Sequence, residues 1–105
     1  MEKVAFEEHS TEEVLQRLKN KDDIEIVDVR EPEEWEAGRI PGVKHIPLGE
    51  IPIRLNEIDP KKETILVCRS GNRSGKAAEF LTQKGYNVVN MRGGMLDWTG
   101  DVERD

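Results

Sequence analysis

Apolar residues recur at helical spacing early in the chain. Val14, Leu15 and Leu18 fall on one helical face behind Ser10-Thr11-Glu12-Glu13. Ser10 stands three residues before Glu13, as in a capping box, so a helix starts here. Ile24 to Val29 changes rhythm: it is short and rich in β-branched residues, which reads as a buried strand. Glu31 to Gly38 reads as one short helical piece, with Pro32 near its start and Gly38 just past its end. Residues 39–49 are loop plus a short extended piece. Gly49 to Asp59 suggests another short helix, carrying Ile53, Leu55 and Ile58. Thr64 to Cys68 is a second apolar strand. From Ser74 to Lys84, Ala77, Ala78 and Leu81 make an apolar stripe with Phe80 beside it, and Gly85 ends the helix. Asn87 to Met91 is a third strand, and Met95 to Trp98 a turn or short terminal helix.

Strands alternating with helices predict an α/β layer fold, a central, mainly parallel sheet flanked by helices. Ligands of such sheets bind beyond the carboxyl ends of the strands. Two strand ends carry suggestive chemistry here: Asp28-Val29-Arg30 and Cys68-Arg69. At 105 residues the expectation is one domain, 1–105, able to bury a modest core without staples. The single Cys excludes an internal disulfide, and no Cys/His cluster has zinc spacing, so neither metal nor organic cofactor is called for. The longest aliphatic stretch, Ile65 to Cys68, is far too short to span a bilayer. The first ten residues are acidic and lack the order of a signal peptide. The expectation is a cytoplasmic protein with no membrane partner.

The formal net charge is −6, with 16 basic against 22 acidic side chains. It is unevenly placed. Residues 1–63 hold 10 basic against 17 acidic side chains, whereas residues 64–98 hold 5 against 2. An acidic chain repels nucleic acid, so no nucleic-acid partner is expected. The one basic segment surrounds the one Cys, which suggests a local anion site.

Cys68 ends an apolar strand and is followed by Arg69-Ser70-Gly71-Asn72-Arg73, with Ser74 opening a helix. A loop running into a helix N-terminus aims backbone N–H groups and the positive end of the helix dipole at its centre. Gly71 lets the backbone curl into an anion-binding nest, and Arg69 and Arg73 add positive charge. All three favour thiolate over thiol, marking Cys68 as a candidate nucleophile. The bland alternative is a small buried hydrophobe, but packing alone does not call for two Arg and a Gly within five residues. With no second thiol, an adduct on Cys68 has to be discharged by an outside nucleophile, which suits ping-pong group transfer.

Four ordered segments resemble the rhodanese family, the sulfurtransferases with a Cys persulfide intermediate. They are Asp28-Val29-Arg30-Glu31 with Trp35 and Gly38; Gly38 to Gly42 through His45-Ile46-Pro47; Cys68 to Ser74; and Gly93-Gly94 with Trp98. The resemblance implies a three-layer single-domain sulfurtransferase. Cys68 would take sulfane sulfur from a small anionic donor such as thiosulfate. It would pass the sulfur to cyanide, a thiol or a protein acceptor. Backbone donors from Arg69, Ser70, Gly71, Asn72, Arg73 and Ser74 would hold the persulfide, with Arg69 touching substrate and Arg73 closing the loop. The six positions from Cys68 to Arg73 are similar to rhodanese loops, whereas the related phosphatases use seven. Two other readings stay open: a non-enzymatic binding module of the same fold, which commonly lacks the Cys, and a partner-specific sulfur carrier.

The remaining candidates carry quieter expectations. Asp28 reads as a turn residue paired with Arg30 at a strand end, with a part in fixing the wall of the site as the alternative. His9 and His45 read as structural, and Trp35 and Trp98 as packing that also suits a pocket lining. The glutamates from Glu31 to Glu36 read as a solvated helix face, with an acidic docking surface as the alternative.

Overall fold

The computed structural model describes residues 6–105; residues 1–5, half of the acidic N-terminal stretch, lie outside the described residues. The elements run β1 (Glu7–Ser10), α1 (Thr11–Lys19), β2 (Ile24–Asp28), α2 (Pro32–Ala37), β3 (Lys44–His45), β4 (Glu63–Val67), α3 (Asn72–Gln83), β5 (Val88–Arg92) and α4 (Gly94–Asp97). The five strands form one sheet in the order β1-β5-β4-β2-β3. Every neighbouring pair is parallel, so all strand carboxyl ends point to one edge. Cys68 follows β4, the middle strand.

β2, β4 and β5 occupy the three segments that alternation and β-branching mark. Alternate residues of β4 face opposite ways. Leu66 and Cys68 join Val27, Val29, Ala77, Ala78 and Leu81 in the core on the α3 side. Ile65 and Val67 join Val14, Ile26, Val89 and Met91 on the α1 side. Both faces of the sheet are covered, which gives the three layers expected.

Three details depart from the sequence reading. β1 has no apolar alternation to betray it. It is a polar edge strand paired with β5 through backbone, in the register Glu7↔Val89 to Ser10↔Arg92. α3 begins at Asn72 instead of Ser74, because Gly71 at φ 98° caps it two residues earlier. The Gly49–Asp59 segment is a pair of 3-10 turns, Leu48–Glu50 and Pro52–Glu57. Their tighter repeat buries Ile51 and Ile58 and leaves Ile53 80% exposed. The capping box at α1 is present: Ser10 Oγ accepts from Glu13 N at 3.1 Å and Glu13 Oε1 accepts from Ser10 N at 2.9 Å.

Candidate active site

Cys68 is buried at the carboxyl end of β4. The Gly71 backbone N–H donates to its Sγ at 3.0 Å, and Ser74 Oγ lies 3.3 Å from Sγ. The loop can reach back because Gly71 is left-handed; a Cβ there would press on backbone, 3.3 Å from Gly93 N and 3.4 Å from Met91 O. Burial pushes the thiol pKa up. Hydrogen bonds that the ionised sulfur can receive from the Ser74 hydroxyl and from the backbone of Ser74, Gly71 and Ser70 push it down further. The net position is below the ordinary thiol value. The loop thus curls so that the Gly71 N–H and the Ser74 hydroxyl both lie against one sulfur.

α4 holds the same loop from the other side. Met95 N donates to the Cys68 carbonyl at 2.9 Å and Leu96 N to the Arg69 carbonyl at 3.0 Å. The chain turns into α4 through Gly93 and Gly94, at φ 88° and 60°. The paired glycines thus serve a close backbone approach to the Cys loop.

The two arginines differ. Arg73 makes a bidentate pair with Glu34 of α2, Nη1 to Oε1 at 2.7 Å and Nη2 to Oε2 at 2.8 Å. Arg69 is exposed and has no side-chain hydrogen bond or ion pair among the described residues. Arg69 follows Cys68 in the chain and lines the surface next to the loop, whereas Arg73 ties the loop to α2. Ser70 and Asn72 are exposed, whereas Ser74 is buried.

Glu34 corrects the reading of Glu31 to Glu36 as a solvated face. Glu31, Glu33 and Glu36 are exposed, but Glu34 binds Arg73 and also accepts from the Glu31 backbone N at 3.0 Å. Hydrogen bonding by Arg73 holds the Glu34 carboxyl at about 2, against an ordinary 4.5. A carboxylate lowered in the folded state stabilises it above the unfolded value and loses that contribution as pH falls through the folded value. The stability difference between wild type and Glu34→Gln is therefore expected to be full above pH 4.5 and to shrink as pH falls towards about 2. Urea midpoints across that window measure it; a constant difference would remove this pair from the acid response.

Asp28 and Arg30 form a buried pair. Arg30 Nη2 donates to Asp28 Oδ2 at 2.8 Å and to the Gly38 carbonyl at 2.7 Å, fastening the end of β2 to the end of α2. His45 lies 2.7 Å through Nε2 from the Arg30 carbonyl. Its ring stacks on Trp35 with centroids 4.6 Å apart, and Arg39 lies 4.9 Å from the Trp35 ring centroid. Trp35 is thus held between neighbours, and Trp98 packs on the α1-side core. An open depression of about 350 Å³ beside the loop is lined by Arg30, Glu34, Arg69, Met95, Leu96 and Arg104, among others. Among the described residues no cluster of His, Cys, Asp and Glu suits a metal ion, and no helix is long and apolar enough to cross a membrane.

The sequence reading missed Asn90. It sits buried in β5 and binds Ser74, Gly71 and Glu8. The available signal was an amide inside the otherwise apolar run Val88-Val89-Asn90-Met91, since a buried polar side chain needs partners.

The model of the rhodanese-like domain family matches residues 10–101. The chain belongs to this family. A putative sulfurtransferase of Bacillus subtilis, YtwF, is 36% identical over 93% of this chain and 95% of its own length. The putative sulfur carrier protein YrkF of the same organism is 44% identical over 91% of this chain. The rhodanese-like chain spans about half the length of that relative, 52%. Among solved structures, a rhodanese-like domain protein from Staphylococcus aureus superposes with a TM-score of 0.89 at 36% identity, covering 95% of this chain and 99% of that one. These similarities extend over all four segments on which the resemblance rested.

Proposed function

We propose that this rhodanese-like domain transfers sulfane sulfur through a persulfide on Cys68. The observation that carries the reading is a buried thiol with lowered pKa at the focus of loop donors. Names of relatives as sulfurtransferase and sulfur carrier support it.

In the first half-reaction the Cys68 thiolate attacks the sulfane sulfur of thiosulfate. A new S–S bond forms, the sulfane–sulfonate bond breaks, and sulfite departs with its electron pair. The persulfide anion rests on the loop N–H groups, an arrangement of fixed dipoles that needs no reorganisation. In the second half-reaction an acceptor such as cyanide or a thiolate attacks the outer sulfur, and the electron pair of the broken bond restores the Cys68 thiolate. No metal or organic group takes part in either half-reaction. Asp28, Arg30, Glu34 and Arg73 hold the walls, and Arg69 meets the anion. Ser70 and Asn72 contribute through the loop backbone.

Arg69→Ala separates binding from loop geometry. It is expected to raise the KM for thiosulfate about five- to tenfold, the loss of one exposed charge-assisted contact, with kcat for cyanide as acceptor nearly unchanged. Steady-state transfer from thiosulfate to cyanide measures both; an unchanged KM would remove Arg69 from donor binding. The sulfur-carrier name of the longer relative favours a second reading, delivery to a dedicated protein acceptor. Under that reading wild type loads sulfur from a donor but discharges it slowly to cyanide and small thiols.

A further inference from the structure

The hydrogen bonds around Asn90 do not all fit with a hydroxyl that serves Cys68 freely. Asn90 Nδ2 donates to Glu8 Oε2 at 2.9 Å and to the Gly71 carbonyl at 3.1 Å. Both partners are pure acceptors, so the amide orientation is determined. Asn90 Oδ1 then faces Ser74 Oγ at 2.5 Å and can only accept. Ser74 has one hydroxyl proton, and at this distance it lies on the bond to Asn90. Cys68 Sγ, 3.3 Å from the same oxygen, meets its lone pairs. This arrangement suits the thiol, whose S–H has an acceptor in Ser74. A thiolate has the opposite need, and to receive the Ser74 proton it has to take it from Asn90.

We infer that Asn90 is a positioning residue that competes with Cys68 for the Ser74 hydroxyl, and so sets how basic and how nucleophilic the thiolate is. On ionisation the S–H proton leaves to solvent, and the Ser74 O–H turns from Asn90 Oδ1 to Sγ. No covalent bond changes at Ser74 or Asn90. The competition keeps the thiolate from being over-stabilised, and a more basic thiolate attacks faster. Glu8, opposite Asn90 in the β1–β5 register, anchors the amide from the sheet edge. The charged groups around the loop are Arg73 of α3 with its partner Glu34 of α2 and nearby Glu31, Arg69 on the loop itself, Arg30 with Asp28 at the end of β2, Arg92 at the end of β5, Asp97 of α4, Arg104, and Glu8 of β1. Glu8 is hydrogen-bonded to Asn90, which in turn touches Ser74 and the Gly71 carbonyl. This inference rests on Cys68 being the nucleophile of the proposed sulfur transfer.

The test is the pH profile of Cys68 alkylation by iodoacetamide in a double-mutant cycle of Asn90→Ala and Ser74→Ala. In the wild-type background Asn90→Ala is expected to lower the midpoint and to speed alkylation about two- to fourfold at pH values below it. In the Ser74→Ala background the same substitution is expected to leave the profile unchanged. Equal shifts in both backgrounds, or a raised midpoint, would overturn the inference, because a role through the Gly71 carbonyl alone does not depend on Ser74. Should Asn90→Ala not fold, Asn90→Asp keeps the acceptor towards Ser74. Its midpoint is expected to rise, and to rise less without the Ser74 hydroxyl; equal rises would count against the competition. Mass gain with thiosulfate is measured beside the profiles. Failure to load sulfur with an intact cycle would sink the proposed function and leave the competition standing.

Discussion

Incubated briefly with thiosulfate, the wild-type protein is expected to gain one sulfur atom, about 32 Da, and Cys68→Ser to gain none. Cyanide or a thiol then removes the added mass. The effect is all-or-none because the chain has a single Cys, so no second thiol can carry the adduct. The fold of the variant is expected to survive. One atom changes, and the new hydroxyl keeps a partner in the Gly71 N–H that now meets sulfur at 3.0 Å. A melting temperature near that of wild type checks this. Equal mass gain in Cys68→Ser would remove Cys68 from the mechanism. No gain in wild type, with the thiol reduced and a second sulfane donor also tried, would leave a binding module that has kept its Cys.

Gly94→Ala is expected to be the most damaging single-methyl change near the site. A Cβ at this position would lie within 2.5 Å of the Cys68 carbonyl oxygen and closer still to that of Arg69. Both are backbone atoms, so no flexible side chain can give way. Gly94 also has φ 60°, where an L side chain adds strain of its own. Overpacking and strain together are expected to cost about 3 kcal/mol or more. The damage falls on function as well. The clash pushes α4 away from the carbonyls that Met95 N and Leu96 N now bind, and the loop loses the support that faces its donors towards sulfur. Urea unfolding measures the first effect and sulfur loading the second. Gly49→Ala is the control: a Cβ there meets nothing within 4 Å, and both readouts are expected to stay near wild type. Full loading in Gly94→Ala would show that the α4 contacts do not hold the loop.

Local features made much of this legible. The capping box of α1, the three central strands and the Cys-to-Arg loop depend on residues near one another in sequence, where spacing speaks directly. The edge strand β1 was not legible, because its pairing is made by backbone and its Glu7-Glu8-His9-Ser10 side chains alternate in nothing. The 3-10 turns were not legible either. Ile53, Leu55 and Ile58 suit a helical face on paper, but burial went to Ile51 and Ile58 instead.

By itself, then, the sequence determined the alternation of strand and helix, the candidate Cys with its glycine-bearing loop, and the family. Each is written in residue type and short spacing. Only the tertiary structure decided how the loop is held. Arg73 reaches Glu34 across 39 positions, Asn90 reaches Glu8 across 82 and the Gly71 carbonyl across 19, and the Gly93-Gly94 turn carries α4 onto the carbonyls of Cys68 and Arg69. Those contacts exist because the parallel sheet gathers its strand ends at one edge, and no local pattern encodes which side chains meet there.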